Sequence, residues 1–229
     1  MAGAQPHLQG QEGGTPSEGR PKTTRLRKEE RRAQLLEVAV QLFANSSFGS
    51  VTTATLAKSA GVTEPVIYQH FASKDELYHA VLRESCQRTL DEWARIFSES
   101  PSPLGGLINV ARSQFRLMSE LWVHYKLHVR AIAEVSDDAV RTILRENDDS
   151  YHAFFRDALE KAKTAGEIRK EINTTDVAWF LLSQGLLLTV CRQVGNTKFE
   201  ASGYLDNLIK TTLAGVSVGA PVVPGVPAR

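Results

Sequence analysis

Thr52, Thr53, Thr63, Tyr68, His70 and Lys74 fall in one short stretch of the chain. Each carries a hydroxyl, imidazole or ammonium donor. Such groups can cap a helix, hold an anion or be solvated. Within that stretch, GVTEPVIYQHFASKDEL (Gly61 to Leu77) places a glycine, a proline and a lysine at the heads of two helices. A cation is unfavourable at a helix N-terminus, because the dipole is positive there. A bound phosphate reverses that sign. Lys74 therefore reads as an anion ligand; the plain alternative is a solvated lysine, since Asp75 and Glu76 partly neutralise it. His70 has its own alternative, capping carbonyls at a helix end.

Catalytic constellations are absent from the sequence, and no enzyme and no cofactor are expected. The six histidines are His7, His70, His79, His124, His128 and His152. None sits in a HExxH motif, and neither a Gly-rich phosphate loop nor a nucleophile elbow occurs. His124 and His128 lie four apart, a spacing that suits a metal, but no third ligand accompanies them. Two distant cysteines, Cys86 and Cys191, fit neither a disulfide scaffold nor a zinc site. The 229 residues are 42% hydrophobic and 23% charged with a net charge of +1, which is ordinary for a globular protein. Residues 1–19 lack the apolar core of a secretory signal. Val177 to Cys191, the longest apolar run, is interrupted by Ser183, Gln184 and Gly185 and is short for a bilayer. A cytoplasmic protein with no membrane partner is expected. The charge is uneven: Arg20, Lys22, Arg25, Arg27, Lys28, Arg31 and Arg32 face only Glu29 and Glu30. Such an arm is either a second phosphate contact or a solvated tail.

Helical periodicity must position these residues. Leu35, Val38, Ala39, Leu42 and Phe43 form one stripe ending near Asn45. Thr52 or Thr53 caps a short helix that Gly61 ends. Thr63 caps the next, Glu64 to His70, with Pro65 in its first turn. Ser73 and Glu76 form a capping box for a long helix through Phe97, stopped by Pro101 and Pro103. Ala111 to Ile132 recur at heptad-like spacing, Val140 to Ala158 form another stripe, and a last helix spans Ala201 to Leu213. Ala178 to Val190 is apolar nearly all round, so both faces should be covered. No strand pattern of useful length occurs, and the fold is expected to be all-α.

Two short helices joined at a glycine make a helix-turn-helix, whose second helix enters the major groove. The stretch LLEVAVQLFANSSFGSVTTATLAKSAGVTEPVIYQHFASKDELYHAVL resembles the DNA-binding domain of the TetR family of bacterial transcriptional regulators. Its diagnostic residues are Thr52, Leu56-Ala57, Ala60-Gly61-Val62-Thr63, Ile67-Tyr68, His70-Phe71 and Ser73 to Leu77. The resemblance implies phosphate contacts from Thr52, Thr53, Thr63, Tyr68, His70 and Lys74, with Glu64, Pro65 and Val66 facing base edges. Glu64 departs from the small or basic residue common there; it is either a specificity residue accepting from a cytosine amino group or a partner for the helix dipole. Ser47 stands before Phe48 where many relatives have glycine.

The resemblance further implies a regulator, most often a repressor, that binds a palindromic operator as a homodimer through its last two helices. A small hydrophobic or amphipathic effector would release it. The alternatives are an effector-independent regulator or an activator. Candidate pocket residues are large or polar members of the inward stripes: Phe115, Met118, Trp122, Tyr125, His128, Asn147, Tyr151, Phe155, Trp179 and Gln184. The expected organisation is a disordered tail at 1–22, a helix-turn-helix domain at 23–76, a helical ligand-binding and dimerisation domain at 77–215, and a flexible tail at 216–229.

Overall fold

The computed structural model describes residues 28–134, 137–200 and 203–218. Among them the chain forms nine α-helices, two 3-10 turns and one isolated bridge, so the architecture is all-α. Most of the basic arm and of the two terminal tails lies outside the described residues.

α1 (Lys28–Asn45) buries Leu35, Leu36, Ala39, Val40, Phe43 and Ala44 along one face. α2 (Thr53–Ala60) is capped by Thr52, whose hydroxyl accepts from Thr55 N at 3.1 Å. It ends at Gly61, at φ 65°, a conformation glycine takes without a Cβ penalty. α3 (Glu64–Tyr68) carries Pro65 in its first turn and stops two residues short of His70. Gln69 and His70 turn the chain instead, their N–H groups donating to Pro65 and Ile67 carbonyls. α4 (Lys74–Ser98) starts at Ser73, whose hydroxyl accepts from Glu76 N at 3.0 Å. The Glu76 carboxylate reaches back to Ala72 N at 2.6 Å, one residue before the usual capping-box partner.

The stripe from Ala111 to Ile132 is two helices, not one. α5 (Pro103–Glu120) and α6 (Trp122–Ala133) break at Leu121, where the backbone sits at φ −105°, ψ 20°. No proline or glycine marks the break. The cause is tertiary: α5 packs against α4 and α7, whereas α6 must lie against α1. Gly106 lets α5 approach α4, since a Cβ there would come within 2.5 Å of Phe97. α7 (Asp138–Thr164) is capped by Asp137, which accepts from Val140 N at 2.8 Å. α8 (Thr174–Gln193) and α9 (Tyr204–Val216) complete the chain. α9 runs three residues past its expected end. Arg169 N donates to Val216 O and Val218 N to Glu167 O, so 216–218 pair with the α7–α8 loop rather than starting a loose tail.

The N-terminal unit has no separate core. Its buried cluster, built on Phe43, Leu56, Ile67, Phe71, Leu77 and Val81, continues into Leu127 and Ala131 of α6 and Val140, Ile143 and Leu144 of α7. A second cluster joins α4, α5, α7 and α9 around Trp93, Val110, Leu117, Phe155 and Leu159.

α8 departs most from expectation. By length and apolarity alone it could cross a membrane, and both its faces were expected to be covered. Within the chain only one is. Ala178, Leu188 and Thr189 are buried, and His152 of α7 pins the helix by donating to Thr175 O at 3.1 Å and stacking on Trp179 at 4.5 Å. The other face exposes Phe180, Leu187, Val190 and Val194. With Ser183 these recur at alternating intervals of three and four, the seam of a helix that packs on another helix. Gly185 faces inward, toward Gln114, and does not serve that seam.

Candidate functional site

The helix-turn-helix presents a polar outer face on an apolar base. Ile67 and Phe71 are buried beneath α3. Thr63, Pro65, Tyr68 and Gln69 are exposed and Val66 is half-buried, with 51% of Tyr68 open to solvent. Thr53 Oγ1 donates to Glu64 Oε2 at 2.6 Å, tying the first turn of α3 to the first turn of α2. This bond engages the only hydroxyl proton of Thr53 and orients the Glu64 carboxylate. The Thr52 hydroxyl caps α2 and pairs with Thr55 Oγ1 at 2.9 Å. Thr63 makes no side-chain cap bond, so its hydroxyl is available. His70 sits beside the start of α1: burial and the charges of Lys28, Arg31 and Arg32 lower its pKa, and its Nδ1 is buried with no partner. The described end of the basic arm therefore converges on the C-terminal end of the recognition helix, and Arg32 lies over the Phe71 ring at 4.9 Å.

Lys74 is placed differently from the other candidates. Its Nζ donates to Phe48 O at 2.9 Å and Val51 O at 3.0 Å, and sits 4.0 Å from the Phe48 ring centroid. Two of its three donors close the loop between α1 and α2.

The helical half encloses a cavity of about 370 Å³ between α4, α5, α6, α7, α8 and α9. Its walls are overwhelmingly apolar, and among the described residues neither lysine nor arginine lines it. Tyr125, His128, Tyr151, Phe155, Trp179 and Gln184 line it, six of the residues expected there. The other four do not, each for a definite reason. Phe115 and Met118 pack with Leu188 and Phe199 in a separate cluster. Trp122 joins that cluster and stacks under the Arg192 guanidinium at 5.2 Å. Asn147 faces α4, donating to Leu82 O at 3.4 Å. Polar residues unexpected there include Thr89, Trp93, Gln114, His124 and Asp148. His128 Nε2 lies 3.6 Å from an Asp148 carboxylate oxygen, and burial lowers the His128 pKa while raising that of Asp148.

α6 belongs to both halves. Tyr125, His128, Val129 and Ile132 line the cavity. On its other side Leu127 and Ala131 sit in the N-terminal core, Lys126 Nζ donates to Asn45 Oδ1 at 2.8 Å, and Arg130 donates to Ala44 O at 3.3 Å. Glu134, just past the helix, accepts from Phe48 N at 3.3 Å.

Residues 35–81 match the model of the bacterial regulatory proteins of the tetR family. These residues form a DNA-binding domain of the TetR family. The chain is a DNA-binding transcriptional regulator of that type. The transcriptional activator FasR of Mycolicibacterium smegmatis is 44% identical over 68 residues, 30% of this chain and 31% of that protein. The chain thus matches less than a third of FasR. The repressor KstR2 of the same species is 22% identical over 151 residues, covering 66% of this chain and 74% of KstR2. In three dimensions the fold is that of FadR from Bacillus subtilis in complex with stearoyl-CoA, with a TM-score of 0.69 at 16% identity, over 80% of this chain and 98% of that one.

Some of the cavity residues in this TetR-family chain carried a sequence signal. Gln114 interrupts the buried run Leu107, Val110, Leu117 of α5, a polar break of the kind that singled out Gln184. Trp93 carried none, because a tryptophan in an amphipathic stripe reads as core. His124 is buried in the cavity wall, and its neighbour fixes its tautomer. The Ser85 hydroxyl donates to Val81 O at 2.8 Å, so His124 Nδ1 is the donor in their 2.9 Å contact. Burial first, and the Arg88 charge second, lower the His124 pKa. The folded protein therefore holds fewer protons than the unfolded chain once pH falls to the ordinary histidine value near 6.5. Stability is full above neutrality and declines as pH falls through that value. His128 and His70, also lowered, act in the same direction. The urea midpoint is expected to fall between about pH 7.5 and 5.5, and His124→Asn, which keeps a donor toward Ser85, to flatten the decline.

Proposed function

We propose that this protein is a homodimeric repressor, cytoplasmic, that binds a palindromic operator and is released by a small hydrophobic or amphipathic effector in the helical cavity. The two-faced α6 carries this reading: the helix that walls the cavity also holds the core and loops of the DNA-binding unit. A ligand that displaces Tyr125, His128 or Ile132 moves Leu127 and Ala131 with them. The break at Leu121 frees α6 from the longer α5, so α6 joins α4 as a lever between the halves. Operator and effector then weaken each other reciprocally, by about 1–3 kcal/mol.

The apolar seam on α8, with α9 beside it, supplies the homodimer. Two recognition helices are needed about 34–36 Å apart, or a multiple of that, to read a symmetric site. Thr63, Tyr68 and His70 are the phosphate contacts; Pro65, Val66 and Glu64, the last held by Thr53, face the bases. The FadR of Bacillus subtilis, which shares this fold, is in complex with stearoyl-CoA, which supports an effector with a long hydrocarbon chain.

Selection of DNA from a random pool at fixed salt tests the reading. A palindromic consensus is the expected result, with transcription from a promoter overlapping it falling when the protein is added. Enrichment of an unpaired half-site removes the symmetric dimer, and a rise in transcription removes the repressor.

A further inference from the structure

The polar atoms in the wall of the cavity specify more than hydrophobicity. Trp93 on α4 and Tyr125 on α6 both line it, and the Trp93 Nε1 and Tyr125 hydroxyl are buried with no hydrogen-bond partner. Trp93 and Gln114 are near enough to Tyr125 to favour its phenolate, yet the hydroxyl and the indole nitrogen are both left without a hydrogen-bond partner. The indole nitrogen can only donate. The hydroxyl donates or accepts, and the amide of Gln114 does both. A buried donor without a partner is costly, so two orphans side by side in a cavity mark the seat of an acceptor that arrives from outside. The buried position of Tyr125 pushes its pKa up to about 12, so the hydroxyl keeps its proton to donate.

The surroundings decide the charge of that acceptor. A carboxylate or phosphate buried here would find no lysine or arginine in the walls. The formal charge among the described lining residues is Asp148, which repels it, and burial disfavours the charged form of the His128 beside it. A buried anion without a counter-charge is strongly disfavoured. An amine would meet Trp93 N–H, a donor against a donor.

We propose that the effector is a neutral, largely hydrocarbon molecule whose carbonyl oxygen accepts from the Trp93 indole N–H and the Tyr125 hydroxyl. This rests on the cavity being the effector site, and it narrows that site from any hydrophobe to ketones, esters or thioesters with the carbonyl at Trp93 and Tyr125.

The test uses the full chain and measures binding directly, without DNA, by quenching of tryptophan fluorescence. The probes are methyl nonyl ketone, undecanoic acid, undecane and undecylamine, with longer and shorter methyl ketones beside them. The ketone is expected to bind at least about tenfold more tightly than the acid or the amine at neutral pH. Tyr125→Phe is expected to weaken the ketone about five- to tenfold and leave undecane unchanged. Its thermal unfolding separates any loss of folding from loss of binding. Equal or tighter binding of the acid or the amine overturns the proposal. So does a ketone affinity untouched by Tyr125→Phe, or no binding by any ketone of the series. A ketone that binds as expected but leaves operator binding unchanged upholds the carbonyl seat and removes effector release.

Discussion

Leu187→Glu should convert the protein to a monomer at micromolar concentration and lower operator affinity at least about a hundredfold. Leu187 is 53% exposed within the chain and lies mid-seam on α8, between Ser183, Val190 and Val194. Glutamate is a good helix former, so α8 itself should persist. In a two-fold interface each substitution occurs twice, and a carboxylate enters an apolar contact from both sides. Burying such a charge costs several kcal/mol after relaxation, enough to dissociate a dimer held by one helical seam. The monomer keeps one recognition helix and loses the gain from engaging two half-sites together. Sedimentation and operator titration on the same sample are the measurements. Unchanged circular dichroism with a halved mass is the expected pair of results; a dimer that survives the substitution places the interface elsewhere.

Lys74→Met separates two roles that look alike in sequence. A lysine at the head of α4 suits a phosphate, yet its ammonium donates to Phe48 O and Val51 O and stacks over Phe48. Two charge-assisted bonds are lost in the variant, and two carbonyls lose their partner. The expected destabilisation is about 2–4 kcal/mol, read as a lower urea midpoint. Phe48 also stacks with Phe43 and Tyr78, at 6.0 and 4.9 Å, so the damage reaches the base of the helix-turn-helix. Operator affinity should fall through loss of folded protein, with the slope against salt unchanged. A phosphate ligand would behave in the opposite way: full stability, and a salt slope smaller by about one. Tyr68→Ala serves as the comparison, since 51% of Tyr68 is exposed and its loss should leave the urea midpoint nearly unchanged.

Local information was enough for the N-terminal unit. The caps at Thr52 and Ser73, the left-handed Gly61, Pro65 in the first turn and the buried pair Ile67 and Phe71 act between near neighbours, so residue type and spacing reveal them. The TetR family was legible for the same reason. In the second half the inward stripes were legible too, but an apolar stripe says only that a side chain faces inward, not which neighbour it meets. Tyr125 and His128 reach the cavity, while Trp122, on the same helix, turns to Arg192. The break at Leu121 carries no glycine or proline because competing packing partners cause it. The uncovered seam of α8 and the inward turn of Lys74 are of the same kind. Helical periodicity alone determined that α8 is apolar all round and that a lysine opens α4. Only the tertiary structure decided which face of α8 other helices cover, and that the Phe48 and Val51 carbonyls lie within reach of the Lys74 ammonium. Those contacts join residues distant in sequence, and their geometry is set by the packing of the whole bundle.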